Sequence, residues 1–287
     1  MNSLPDNVKF EILLKADYAT TTNLCQTDKS FDSICQDEYL WARKAELESG
    51  ITPTELALLP AENNRIRYDW IVRVDPNYGL VKASELGVLS LVEYFISVGG
   101  EDFNQAMVEA SGNGHLDIVE FLLEKGATDY DDAMIEAGKN GYIDIVKLML
   151  EKGADRYDLT MLAAISSGYI EIVRLMISNG ATSYDEGLLL AAKDGYLDIV
   201  KLMISEGAIA LSDAMMEASR AGYIGVVQFL LEQGADDIDS SLVAAAEEGH
   251  LNIVKFLVEN GAEDIDQAMT AALNNGHREV AKFLSKK

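Results

Sequence analysis

Gly114-His115-Leu116-Asp117-Ile118-Val119-Glu120-Phe121-Leu122-Leu123-Glu124-Lys125-Gly126-Ala127 is the stretch that decides the fold. It returns as GYIDIVKLMLEKGA from Gly141, GYIEIVRLMISNGA from Gly168, GYLDIVKLMISEGA from Gly195, GYIGVVQFLLEQGA from Gly222 and GHLNIVKFLVENGA from Gly249. A degenerate copy, GVLSLVEYFISVGG, begins at Gly87, and a clipped one, GHREVAKFLSKK, at Gly276. The leading glycines recur at an unbroken interval of 27 residues. A fixed period of this length is the signature of a repeat array, in which each unit buries its apolar face against its neighbours.

Within a copy, apolar residues follow the leading glycine at helical spacing, as in Ile143, Ile145, Val146, Leu148 and Met149, which predicts a helix. Gly153-Ala154 and its equivalents end it. Ten residues before each leading glycine stand Asn77, Asn104, Asp131, Asp158, Asp185, Ser212, Asp239 and Asp266. All are strong N-cap types, so each predicts the entry of a first helix. An apolar residue precedes most of them (Phe103, Tyr130, Tyr157, Tyr184, Leu211, Ile238, Ile265), and Val108, Ile135, Leu162, Leu189, Met216 and Val243 lie four residues beyond. That spacing predicts a hydrophobic staple. An alanine stands four residues before every leading glycine, from Ala83 to Ala272, and so small a side chain permits close helix packing. The leading glycine itself predicts a left-handed helix stop. Each unit reads as helix, tight turn, helix, short loop, without room for a strand of ordinary length.

On these residues the chain resembles an ankyrin-repeat protein. GHLDIVEFLLEKGA looks like the second helix and following turn of an ankyrin unit, and the likeness covers Asn77 to Leu284. Ankyrin units run about 33 residues with a TPLH tetrad. Here the tetrad is replaced by segments such as Asp132-Ala133-Met134-Ile135, and the shortening falls where the family's β-hairpin finger would be. The expectation is an all-α, ankyrin-type solenoid of eight finger-poor units over residues 77–287. The last unit reads as a C-terminal cap, with Arg278 and Ala281 in place of larger apolar residues and Ser285-Lys286-Lys287 in place of Gly-Ala.

Residues 1–76 stand outside the register. Leu4, Pro5, Val8, Ile12 and Leu13 open a helical pattern, which Thr20 to Thr22 are expected to interrupt; Leu24, Phe31, Ile34, Leu40 and Trp41 carry a second one. The order LP, V, EIL, NLCQTDKSF, IC, DEYLW resembles an F-box from Leu4 to Trp41. It is similar in particular to the F-box-like N-termini that precede ankyrin arrays in large DNA viruses. The resemblance implies an F-box-like domain over 1–48 whose ten named residues bind a Skp-family adaptor of a cullin-type ubiquitin ligase. The open alternative is a helical cap that shields the first repeat. Residues 49–76 read as a helical connector. Thr52-Pro53-Thr54-Glu55 opens one helix that Pro60 ends, Arg65 to Val74 forms another, and Trp70, Ile71 and Val74 offer apolar surface to the first repeat.

Composition excludes several functions. A net charge of −25 disfavours nucleic acid and anionic membrane surfaces, which are bound through basic side chains. No apolar run reaches the roughly 20 residues a membrane span needs, and MNSLPDNVKF lacks the features of a secretory signal. Cys25 and Cys35 are the only cysteines; so few make a disulfide framework unexpected and point to a reducing, cytoplasmic location, the host cytoplasm if the source is viral. His115, His250 and His277 all fill the slot after a leading glycine, where other copies hold tyrosine, so they read as packing groups. That leaves neither a metal-ligand cluster nor a base for a nucleophile, and no phosphate-binding glycine loop appears. The expectation is a non-enzymatic interaction protein with no cofactor and no metal. Its candidate target-binding face lies where copies differ, on the first helices: acidic at Glu109, Asp132, Glu136, Glu186, Asp213 and Glu217, apolar at Leu159, Ala163 and Leu190. An apolar centre with a charged rim is the composition of a binding hot spot.

Overall fold

The computed structural model describes residues 4–287; the first three residues of the expected F-box-like domain lie outside the described part. All regular elements among the described residues are helices. The chain divides into two compact units, Met1–Ala133 and Met134–Lys287.

In the first unit, α1 (Asp6–Lys15), α2 (Tyr18–Thr27), a 3-10 turn (Lys29–Phe31), α3 (Asp32–Cys35) and α4 (Glu38–Ser49) enclose Leu13, Leu40, Trp41 and Ala45. The break between α1 and α2 falls at Ala16-Asp17, because Asp17 accepts the Thr20 amide at 2.7 Å and caps α2. Thr20 to Thr22 therefore lie inside α2 and do not interrupt it. The end of α1 is closed by a side chain from far along the chain. Lys44, fully buried, donates to the carbonyls of Leu13 (3.2 Å) and Ala16 (2.7 Å) and pairs with Glu48 at 2.8 Å. A cation there satisfies orphan carbonyls at the negative end of a helix. Tyr68 donates to the same Glu48 carboxylate, and burial together with that contact raises its pKa.

A second departure concerns the cysteines. Cys25 and Cys35 form a disulfide, linking α2 to α3, so the expectation of two free thiols is corrected and the argument for a reducing compartment loses its support.

The connector holds α5 (Pro53–Leu56) and α6 (Asn64–Arg73). Thr52 and Glu55 form the reciprocal capping box at the entry of α5. That helix ends at Leu56, ahead of Pro60. Then come α7 (Pro76–Leu86), α8 (Leu89–Ser97), α9 (Phe103–Gly112), α10 (Leu116–Glu124) and α11 (Tyr130–Asn140), inside which the division between units falls. As expected, the connector docks on the first pair: Trp70 meets Phe95 edge-on at 5.8 Å, and Ile71 is buried.

The second unit continues with α12 (Ile143–Lys152), α13 (Tyr157–Ser166), α14 (Ile170–Asn179), α15 (Tyr184–Asp194), α16 (Leu197–Ser205), α17 (Leu211–Ala221), α18 (Ile224–Glu232), α19 (Ile238–Glu247), α20 (Leu251–Glu259), α21 (Ile265–Asn274) and α22 (Arg278–Leu284). First helices stack on first helices, second on second, and each pair packs within itself. The connection between successive pairs is as short as Gly153-Ala154-Asp155-Arg156, so the finger is absent here. The eight alanines before the leading glycines are all fully buried, as close helix approach requires. Met134, Met149, Met176 and Met203 are core.

The leading glycines have two reasons to be glycine. Gly195 has φ +80°, and a Cβ there would sit 2.5 Å from ring atoms of Tyr223. Tyr223 follows the next leading glycine, so each turn receives a ring from the following unit. The same ring-on-glycine contact joins Tyr169 to Gly141, Tyr196 to Gly168, His250 to Gly222 and His277 to Gly249. Nε2 of His250 also lies 2.9 Å from the Arg220 carbonyl, an acceptor, which places the proton on that nitrogen.

The cap assignments shift by two residues. The first helices begin at Phe103, Tyr130, Tyr157, Tyr184, Leu211, Ile238 and Ile265, so that Ser183, for example, stands at the cap position expected of Asp185. Asp158, Asp185 and Asp239 do not cap their own helices; each accepts two amides of the next loop. Asp158 takes Thr182 (2.7 Å) and Ser183 (2.8 Å), Asp185 takes Ile209 (2.6 Å) and Ala210 (2.9 Å), and Asp239 takes Glu263 (2.6 Å) and Asp264 (3.0 Å). Ser212 does the same with its hydroxyl, and in the first unit so does Asn77 with its side-chain oxygen, while Asn104 accepts the one amide of Thr128. These residues are ties between neighbouring repeats. The staple falls with the caps: Tyr184 and Leu189 lie five positions apart within one helix, on well-separated directions of its surface.

Candidate protein-interaction site

Two surfaces carry the residues singled out in the sequence. On the first unit, the ten F-box-like positions part into two groups. Leu4, Val8 and Ile12 are exposed at 48%, 39% and 38%, and Pro5 is exposed beside them. Val8 and Ile12 form an apolar edge on α1 at helical spacing, and Leu4 and Pro5 lie just before that helix. Leu13, Phe31, Ile34, Leu40 and Trp41 are instead buried core, and Leu24 is half-buried. The periodicity of α1 dictates the split, since Leu13 turns inward where Ile12 turns out.

The second surface is the outward side of the first helices. Glu109 (half-buried) and Asp132 (exposed) belong to the first unit. In the second unit, Glu186 and Asp213 are exposed, while Glu136, Ala163, Leu190 and Glu217 are half-buried. In the second unit Leu159 is the most open apolar side chain of these registers, at 48%. In the array's other first helices its register holds Tyr78, Gln105, Asp132, Glu186, Asp213, Ser240 and Gln267.

The sequence reading missed one line of this face. Ile135, Leu162, Leu189, Met216 and Val243, read as staple partners, are half-exposed. They stand three positions beyond the Leu159 register, so they share its side of each helix. Met216 and Val243 line a recess of ≈ 190 Å³ with Arg220, Ala244, Glu247 and Gln267. The clue in the sequence was an unbroken apolar register on otherwise variable helices.

The charges of the face are arranged unevenly. Lys139 pairs with Glu136 at 3.4 Å and Arg220 with Glu247 at 2.8 Å. Among the described residues, Glu186, Asp213 and Glu217 form no ion pair. The bases at the ends of α11 and α17 are thus engaged, while at the end of α15 Lys193 is exposed and, among the described residues, forms no ion pair. No group of three or more His, Cys, Asp or Glu is placed to hold a metal among the described residues. No described helix is long and apolar enough to cross a membrane.

Comparison with known proteins converges on the same region. A family model described as ankyrin repeats (3 copies) matches residues 80–160 and 160–241, and one described as ankyrin repeats (many copies) matches residues 242–284. Among solved structures, the human ASB11 ankyrin repeat domain is similar at 23% identity, over 55% of this chain and 84% of that one, with a TM-score of 0.46. A search of curated proteins returned no match.

Proposed function

This chain belongs to the ankyrin-repeat family, and from that premise we propose that it is a non-enzymatic adaptor joining two proteins. Ankyrin repeats make the array a protein-interaction scaffold. The target sits on its first-helix face, and the F-box-like unit recruits a Skp-family adaptor of a cullin-type ubiquitin ligase. The observation that carries the adaptor reading is the exposed apolar edge of Val8 and Ile12 on α1, with Leu4 just before that helix, whose burial on a partner would be favourable.

A pull-down tests it. The intact chain is expected to retain a purified Skp-family protein, and the double substitution Val8→Asp, Ile12→Asp to abolish retention. These two positions are exposed, so the variant keeps its fold; Leu13, fully buried, would not report on binding. No retention, or retention indifferent to both substitutions, overturns the reading.

One observation favours a second reading, in which the segment only caps the array. Trp70 packs on Phe95, and Ser90 donates to Glu55 at 3.3 Å, so connector and first repeat share a surface. Under this reading, deleting residues 1–76 lowers the melting temperature of the array and leaves target binding unchanged.

A further inference from the structure

Resting on the reading of the array as a target-binding surface, we propose that the first-helix face of the 134–287 unit takes a protein segment in which leucine-like anchors are flanked by lysine or arginine. Three observations converge. Within this unit Leu159 and Leu190 are the two large apolar residues at registers otherwise filled by acids and small or polar side chains, and Leu159 is open to solvent. Beside them runs the half-exposed line Leu162, Leu189 and Met216, leading into the recess at Val243. Around this line, Glu186, Asp213 and Glu217 form no ion pair among the described residues; Arg220, on the same helix as Asp213 and Glu217, is taken up by Glu247, and the exposed Lys193 at the end of α15 is the one base of these two helices left over against the three acids.

The physical consequence is a match of two kinds. Burying the leucines removes apolar area from water, which supplies affinity. The uncompensated carboxylates sit at the edge, where charges steer approach and set specificity more than they add affinity. An acidic partner would meet repulsion, and an uncharged apolar one would leave the carboxylates partly desolvated without a counter-charge. Neighbouring helices pack 8–10 Å apart, so a partner in extended form, rising about 3.3 Å per residue, reaches a new repeat every three residues or so. Apolar anchors at roughly that spacing, with basic residues outside them, complete the description.

Selection from a random peptide display library against the full-length chain tests this directly. Recovered peptides are expected to be enriched in Leu, Ile or Phe flanked by Lys or Arg. Resynthesised, such a peptide should lose about tenfold or more in affinity for a Leu159→Ser, Leu190→Ser variant. Its binding should weaken as NaCl rises, and a Glu186→Gln, Asp213→Asn, Glu217→Gln variant should show a flatter dependence. All substituted positions are exposed or half-exposed, and circular dichroism of the variants checks that they fold. An acidic or purely polar consensus, or peptides indifferent to both variants, overturns the inference while leaving the array a binding surface. Failure to recover any peptide on the first-helix face overturns both that reading and the inference.

Discussion

Asp185 shows how far one side chain can depart from its local reading. By type and spacing it is a helix cap; in the folded chain its carboxylate holds two amides of the following loop. Asp185→Ala is expected to cost about 1–2 kcal/mol in urea denaturation, the usual size for charge-assisted bonds. Asp266→Ala, at the same register but with no loop amide bonded to its carboxylate among the described residues, should cost clearly less; equal losses would mean that the residue acts on its own helix. Asp158 adds a dependence on pH. Burial works against its charge, but hydrogen bonds from Thr182 and Ser183 more than offset this and hold its pKa below the ordinary range. A carboxylate depressed in the folded state contributes stability above its unfolded pKa, about 3.9, and that contribution fades as pH falls through the folded value. Acid titration of Asp158→Asn should therefore show a smaller stability loss below about pH 4 than the parent shows. The carboxylate at this position was legible; its partner was not, since the bond spans 24 residues and depends on how repeats stack.

At the scale of the element, the helix–turn–helix pair followed from periodicity, buried alanine and turn glycine. What the period did not reveal is why the two glycines of a unit differ. Gly195 combines φ +80° with the ring of Tyr223, whereas Gly207, at φ +109°, has open space where a Cβ would go. Gly207→Ala should cost the backbone term alone, about 1–2 kcal/mol. Gly195→Ala should cost about 1–3 kcal/mol more, from overpacking against the ring. A double-mutant cycle with Tyr223→Ala is expected to recover part of the excess, and strict additivity would contradict the stacked ring. The two-residue shift of the first helices has a similar origin. Asp and Tyr are both admissible near a helix start, and the loop's own bonding, such as the Tyr184 amide to the Thr182 carbonyl at 2.7 Å, sets the entry. That shift turned Leu189 and its equivalents from internal staples into a half-exposed line.

At the scale of the whole molecule, the two compact units and the net charge of −25 set the expectations. Lys44→Ala would leave two helix-end carbonyls and Glu48 without their cation, a loss of about 3 kcal/mol. Hydrogen exchange should show it as faster opening within Met1–Ala133 with protection in Met134–Lys287 little changed; uniform acceleration would contradict the division. Raising NaCl from low to moderate concentration should increase the melting temperature of the parent, because screening relieves self-repulsion of the excess acids. A fall would mean that the surface ion pairs outweigh it. By itself, the sequence determined the repeat, the number of units, the all-helical class and the missing finger. These rest on patterns of apolar, small and turn-forming residues that act within one repeat and recur at every copy. Only the tertiary structure decided that the caps are inter-repeat ties, that Lys44 closes α1 from 28 residues away, that Cys25 meets Cys35 and that Leu159, Glu186 and Asp213 are exposed while Leu190 and Glu217 are half-buried. Those relations join residues on different helices. Their energy depends on distances that a one-dimensional pattern does not contain.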